Sequence, residues 1–362
     1  MEVNSDRKKN KANLITVSES PLCQEADFTA MNSVVTPTDD FYVRSHFASV
    51  PDINESSWRL KIKGKTARSI ELTLEDLRSM PSRELMATME CAGNSRVHVN
   101  PPAEGLRFGH GAISTARWRG VSLSEVLTKA GLLETAKEVV FKGADSGQET
   151  DDGVSFNLNY TRSLPLDKAL DPDTLLVYEM NGDQLTPSHG YPLRLLVPSW
   201  YGMASVKWLM EIEVSDKAFD GFFQSRRYVM VNQGMDVTEQ KDPVTTVKVK
   251  CLINTPAQGQ IVKGQIVNIA GLAWSGEGSI EKVEVSCDDG LTWCDADLGD
   301  NNGPHAWRKW AIACEPGTTG HFLLMARATD SNGNTQPKNI PWNYRGYANN
   351  AIHSLSIQVE AE

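Results

Sequence analysis

Apolar and polar positions follow two different rhythms along this chain. Up to about residue 240, alternating runs are interleaved with a few stretches of helical period. From Val247 onward only short alternating runs remain, cut by Gly, Asn, Asp and Pro. In the first part, "WRLKIKG" sets Trp58, Leu60 and Ile62 on one face and predicts a strand. "TLED" predicts a short helix with Thr73 as N-cap and Pro81 just beyond its end. "SLSEVLTKAG" predicts the best helix: Ser122 and Glu125 are spaced as a capping box, Leu123, Val126, Leu127 and Ala130 share a face, and Gly131 stops it. "EVVFKGAD", "TLLVYEMNG", "PLRLLVP" and "VKWLMEIEV" read as further strands. In the second part, about seven strands in about 115 residues, without helix signals, predict an immunoglobulin-like sandwich. The expected organisation is α+β: a flexible arm over 1–24, a mixed α/β domain over 25–240 and an all-β sandwich over 244–362.

One of these strands has an unusual end. In "LMATMECAGNSR", Leu85, Ala87 and Met89 share a face, and Cys91, the small residues Ala92 and Gly93, and Arg96 follow. A thiol beside residues that admit close approach suits either a buried structural cysteine or a ligand to something bulky. The basic residues are packaged in a similar way. Arg44 and His46 lie in "FYVRSHF", His189 and Arg194 in "PSHGYPLR", and Lys207 in "MASVKW". Arg226, Arg227 and Tyr228 lie in "FQSRRY", and Arg345 in "WNYRGY" of the second domain. Taken singly, each reads as a surface or structural residue. Their neighbours are Gly, Pro and aromatics, however, as in loops that line a pocket.

Charge and composition narrow the choices. A net charge of -10 argues against nucleic acid or an anionic membrane as the main partner, yet leaves room for a local pocket that binds a small anion. The polar start "MEVNSDRKKNKANL" lacks the apolar run of a signal peptide. The best apolar candidate for a membrane span, "LRLLVPSWYGMASVKWLMEI", is broken by Pro198, Gly202 and Lys207. A cytoplasmic protein with six reduced cysteines is the expectation. Cys287 and Cys294 flank "DDGLTW", a hairpin turn around Asp289-Gly290, with no further ligands at zinc spacing. There is no phosphate-binding loop and no dinucleotide fingerprint.

Together, "FYVRSHF", "CAGNSR", "GAISTARWRGVSL", "YEMNGDQLTPSHGYPLRLLVP", "GMASVKWL", "AWSGEGSIEKVEVSCDDGLTW" and "PWNYRGYANNAIH" resemble the sulfite oxidase family of molybdenum-pterin enzymes. The match follows the family's order and runs from about residue 30 onward. The resemblance implies a molybdopterin-binding domain, a molybdenum-molybdopterin cofactor and Cys91 as the one protein ligand to the metal, as a thiolate. It implies that Tyr42, Val43, Arg44, Ser45 and His46 form the first cofactor-contacting loop. Asp145, His189, Arg194, Ser205, Val206 and Lys207 would hold the pterin and its phosphate. Arg44, Arg96 and Arg345 would converge on the substrate anion, with Tyr228 donating a hydrogen bond, in a pocket between the domains.

The implied reaction is oxidation of sulfite to sulfate, with electrons passed to an external acceptor, a cytochrome or oxygen. The chain shows no cytochrome b5-like haem domain and no CxxCH motif. Nitrate reduction or sulfane oxidation are alternatives on the same cofactor, and a cofactor-free binding protein is the alternative from another class. A homodimer paired through the second domain is also implied. Several positions depart from the family pattern. Ser95 stands where many members have a second arginine, and Ser45 where asparagine is common. Phe108, followed two positions later by His110, takes the place of a pocket tryptophan, and Ala204 that of an arginine. The expected result is a pocket without an indole N–H and a phosphate site with one cation fewer.

Overall fold

The computed structural model describes residues 13–151, 153–232, 234 and 242–361. Most of the alternating runs form strands. One sheet of the first domain runs in the order Ile70–Leu72, Leu60–Gly64, Leu209–Ser215, Glu138–Asp151, Val154–Pro165. Only the Leu60–Gly64 and Leu209–Ser215 pair in it is parallel. A second sheet orders Asp183–Gln184, Leu175–Met180, Ile113–Ser122 and Ser82–Glu90, with Arg194–Leu196 also paired to Leu175–Met180. The apolar face of the helix Leu123–Ala130 is fully buried, and Gly131, at φ +78°, ends it.

Local chemistry explains the helix ends. Thr73 accepts a bond from the Asp76 N–H at the start of helix Leu74–Arg78, and Asp76 accepts one from the Thr73 N–H, a complete capping box. The box expected between Ser122 and Glu125 is not formed. The Ser122 hydroxyl lies 2.9 Å from Ser124 Oγ, a local partner, and 3.3 Å from the Pro172 carbonyl, a tertiary one, and these claim it instead.

The expected arm over 1–24 is corrected from residue 13 onward, residues 1–12 lying outside the described residues. Leu14–Glu19 and Leu22–Ala26 form an antiparallel hairpin, and Val43–Arg44 adds a third strand through Cys23 and Gln24. The third strand comes from a segment about twenty residues away in sequence, a pairing that local polarity does not reveal. The expected boundary between residues 240 and 244 includes residues 240 and 241, which also lie outside the described residues.

The C-terminal part is a two-sheet sandwich. Lys250–Thr255, Val267–Trp274, Arg308–Cys314 and Asp297–Leu298 make one sheet. Ile261–Lys263, His353–Glu360, Gly320–Asp330, Ile280–Ser286 and Cys294–Asp295 make the other. Ile253, Ile269, Val283, Val285, Leu324 and Ile357 fill the space between them. Asp289 and Gly290, at φ +61° and +83°, make the hairpin turn expected there. The expectation of six reduced cysteines is corrected: Cys287 and Cys314 form a disulfide that joins the two sheets. Each follows or ends a strand of a different sheet, a proximity that exists only once the sandwich has closed.

The strand Lys250–Thr255 is buried on both faces. Cys251 and Ile253 pack inside the sandwich, while Leu252 joins the first domain's core with Leu272 and Trp274. The two domains therefore share one apolar seam. Among the described residues no helix is long and apolar enough to cross a membrane. "LRLLVPSWYGMASVKWLMEI" is the strand Arg194–Leu196, a turn at Gly202–Ala204 and the strand Leu209–Ser215.

Candidate active site

Two connected clefts meet at Cys91. The strand Ser82–Glu90 ends one residue before it, after pairing with Ile113–Ser122 as far as Glu90 opposite Ile113. The Cys91 N–H still donates to the Ala112 carbonyl at 2.9 Å, so the sheet holds the base of the side chain. The chain then turns, and Ser95 takes a left-handed φ of +67° that is uncommon outside glycine. The turn places Cys91 and Arg96 on the wall of one pocket.

The first cleft is a cradle. Tyr42, Arg44, His46, Cys91, Ala92 and Met89 line one part of it; Asp145, His189, Arg194, Ser205 and Lys207 line the rest. The Arg194 guanidinium donates to the His189 and Ser205 carbonyls at 3.0 and 3.1 Å and lies over the Trp118 ring. Lys207 Nζ donates to the Ser188 carbonyl at 2.8 Å. His189 donates from Nε2 to the Thr38 carbonyl at 3.3 Å.

Burial shapes the charges in this cradle. It pushes Lys207 down to about 7, helped by Arg194 and opposed by Asp145. Burial also raises Asp145 to about 6 against the pull of Lys207. It lowers His189 to about 3, with Lys207 and Arg194 adding to the effect, so this imidazole is neutral.

The second cleft, about 30 Å³, is lined by Arg44, Cys91, Arg96, Phe108, Arg227, Tyr228, Arg345 and Tyr347 among others. Arg44, Cys91 and Tyr228 belong to both clefts and form the neck between them. Arg96 is held from three sides: Nε donates to the Arg345 carbonyl, Nη1 to the Leu106 carbonyl, both at 2.7 Å, and Cζ lies 5.2 Å from the Tyr347 ring centre. A Cβ on Gly93 would stand 2.5 Å from this guanidinium. Gly93 therefore makes room for Arg96, which corrects the expectation that it clears space for a cofactor; Ala92 does line the cradle.

Arg345 reaches the same space from the second domain. Its guanidinium lies 3.2 Å from Asp151 and 3.5 Å from Glu104. The Tyr228 hydroxyl is 2.6 Å from His46 Nε2, and the His46 ring stacks on Tyr160 at 4.1 Å. Burial keeps Tyr228 protonated, its pKa raised despite Arg44. Burial, then Arg44 and Lys207, keep His46 neutral. Burial likewise raises the Cys91 thiol, while Arg44 and Arg96 favour its thiolate.

The expected site residues divide accordingly. Tyr42, Arg44, His46, Cys91, Asp145, His189, Arg194, Ser205 and Lys207 line the cradle; Cys91, Arg44, Arg96, Tyr228 and Arg345 meet in the smaller cleft. Three expected cofactor contacts do not line it. Val43 and Val206 are buried core residues, and Ser45 is buried with an unpartnered hydroxyl. The alternation that exposes Tyr42, Arg44 and His46 to the cleft turns the side chains between them away. Phe108 is fully buried and lines the smaller cleft, and Ala204 is buried in the core. Asp151, Glu104, Tyr160 and Tyr347 were missed; two acidic and two aromatic residues in unrelated segments carry no local signal.

A metal-pterin group fits this arrangement. Among the described residues, no three His, Cys, Asp or Glu side chains are grouped to hold a metal ion, so a metal at Cys91 must bring its other ligands with it. In the cradle, Asp145 Oδ1 and Arg194 Nε are buried without hydrogen-bond partners, an acceptor and a cationic donor left for a ligand.

Comparison with known proteins agrees with this geometry. Residues 46–223 match the family described as the oxidoreductase molybdopterin binding domain, and residues 241–360 the Mo-co oxidoreductase dimerisation domain. Mitochondrial sulfite oxidase of Rattus norvegicus is 36% identical over 346 residues, covering 90% of this chain and 62% of the rat protein. The chain thus spans less than two thirds of that relative. Sulfite oxidase of Arabidopsis thaliana is 32% identical, covering 91% of this chain and 89% of its own length. The crystal structure of the sulfane dehydrogenase SoxCD from Paracoccus pantotrophus superposes with a TM-score of 0.80 at 26% identity, over 99% of this chain and 90% of that one.

Proposed function

The chain belongs to the sulfite oxidase family of molybdopterin oxidoreductases, and from that premise we propose that it oxidises sulfite to sulfate, taking the oxygen from water and passing two electrons and releasing two protons. The observation that carries this reading is the smaller cleft, where Arg44, Arg96, Arg227, Arg345 and Tyr228 surround a space of about 30 Å³ beside Cys91. That space suits a small oxyanion, and guanidinium groups bind its oxygens with directional, charge-assisted bonds.

When bound, the molybdenum-pterin group supplies the two-electron oxygen-transfer chemistry. Arg194, Lys207, His189 and Asp145 would hold its pterin and phosphate, and Cys91 its metal. Arg44 at the neck and Arg96 in the smaller cleft present fixed positive charge near Cys91, which both favours its thiolate and attracts the substrate anion. Arg345 exchanges its carboxylate partners for the substrate, a replacement of one anion by another at the same guanidinium. Tyr228 keeps its proton and His46 stays neutral, so the Tyr228–His46 pair orients a hydrogen bond without adding charge.

The electrons leave to a separate acceptor, and two copies pair through the C-terminal sandwich, which we read as immunoglobulin-like. Light scattering of the full chain should then give twice the monomer mass of 39.9 kDa. The activity is tested by turnover of the molybdenum-loaded chain with sulfite and ferricyanide as acceptor. Saturable reduction of ferricyanide supports the reading. Reaction with nitrate or a sulfane donor alone would move the substrate elsewhere on the same cofactor.

A further inference from the structure

Behind the loop that carries Cys91 and Arg96 lies a larger cleft of about 520 Å³ that the proposed reaction does not use. Its size falls in the range of small-molecule sites, well above the 30 Å³ of the substrate pocket. Three histidines gather in it. The rings of His98 and His110 stack at 4.3 Å, and His353 meets His110 edge-on at 4.6 Å. Lys250 lines the same cleft, with Asn349 and Trp342. Among the described lining residues there is no Asp or Glu, although the chain as a whole has a net charge of -10.

The hydrogen bonds fix how these imidazoles present themselves. His353 Nδ1 accepts the Ile253 N–H at 2.9 Å, so its proton sits on Nε2. Lys250 Nζ donates to Ser95 Oγ at 2.9 Å, and that oxygen is 2.8 Å from His110 Nδ1. The Ser95 hydroxyl keeps its own proton, and in the tautomer where it donates to His110 Nδ1, His110 too carries its proton on Nε2. In that tautomer two imidazole N–H donors serve a ligand, beside the Lys250 ammonium that is paired with Glu90. Burial, then His98 and Lys250, hold His353 down to about 3, so this imidazole is neutral.

We propose that this cleft binds a small organic anion whose carboxylate or phosphate oxygens accept from the His110 and His353 N–H groups. Neutral N–H donors in a carboxylate-free site favour such acceptors and repel cations. Two loops connect the site to the substrate pocket. Ser95 and His98 face this cleft while Arg96, between them, faces the other; Asn349 and His353 face this one while Arg345 and Tyr347 face the other. Asn349 also donates to the Ser95 carbonyl at 3.0 Å. An occupant would bear on both loops that carry substrate-binding arginines.

Calorimetric titration of the molybdenum-pterin-loaded full chain, whose cradle is then filled, tests the site with citrate and separately with glycerol 3-phosphate, in a buffer free of carboxylates and phosphates. Both probes are too large for the 30 Å³ pocket. Binding of at least one is expected, and the better one names the head group. His98→Glu sets a carboxylate at the exposed mouth of the cleft and should weaken that binding about tenfold or more. His353→Asn, whose shorter side chain keeps an acceptor for the Ile253 N–H but withdraws the donor at the Nε2 position, should also weaken it. Binding of neither probe, equal binding to wild type and both variants, or displacement of the probe by sulfite would each overturn the proposal.

Discussion

Lys250 Nζ and Glu90 Oε1 are 2.9 Å apart, and both side chains are almost wholly buried. The pair joins the sandwich to the residue immediately before Cys91. Asn94 and the Trp274 indole donate to the same carboxylate, at 3.0 and 2.9 Å. The strand that brings Lys250 is thus anchored to the loop that presents sulfur.

Removing one member of a buried, hydrogen-bonded pair leaves an uncompensated charge. Lys250→Met should therefore destabilise the protein by about 3–5 kcal/mol, and adding Glu90→Gln should recover part of that loss. Urea denaturation of the three variants measures both steps. Equal stability of Lys250→Met and wild type would show that the pair contributes nothing.

Cys91→Ser should leave a folded protein whose cradle still retains the pterin, since Arg194, Lys207 and His189 are untouched, while sulfite turnover falls by about a hundredfold or more. Pterin fluorescence after denaturation and turnover of the same sample separate the two effects. Unchanged turnover would remove Cys91 from the chemistry.

Arg345→Gln should raise the KM for sulfite by about tenfold or more, because it removes a charged donor from the anion pocket. Asp151→Asn should act in the opposite sense. It frees the guanidinium from a carboxylate at 3.2 Å, and a fall in KM of a few-fold is expected, larger at low ionic strength. Steady-state kinetics at two salt concentrations reads both. If only thermal stability changes in Arg345→Gln, that arginine is structural.

His189 has its pKa depressed to about 3 by burial, then by Lys207 and Arg194. The unfolded chain binds a proton to this residue near 6.5 and the folded chain only near 3. Its contribution to stability is therefore complete above 6.5 and is lost as pH falls toward 3. His189→Gln should flatten this acid limb of the stability curve by a few kcal/mol, measured by urea midpoints from pH 7 to 4. An unaltered slope would mean that other groups set the acid sensitivity.

The sequence alone determined most of the strands and the main helix, because a period of two or of 3.6 is a local property of a dozen residues, while the hairpin Leu14–Glu19 and Leu22–Ala26 escaped it. Trp58, Leu60 and Ile62 are buried on one face as their alternation requires, and Leu123, Val126, Leu127 and Ala130 line the buried side of their helix. The family was legible for a related reason: Cys91, Arg44, Arg96, Tyr228 and Arg345 are carried by compact motifs that keep their order.

Tertiary structure decided which of these side chains meet, and what else meets them. Lys250 alternates with apolar residues as an exposed lysine would, yet a second layer covers its strand and Glu90 partners it. Gly93 looked like space for a ligand and proved to be space for Arg96. The Cys287–Cys314 bond, the carboxylates on Arg345 and the three-histidine cleft all join residues from separate sheets or loops. Local periodicity reports the face on which a residue lies. It holds no record of the surface that later packs against that face, and the chemistry of this protein resides in those juxtapositions.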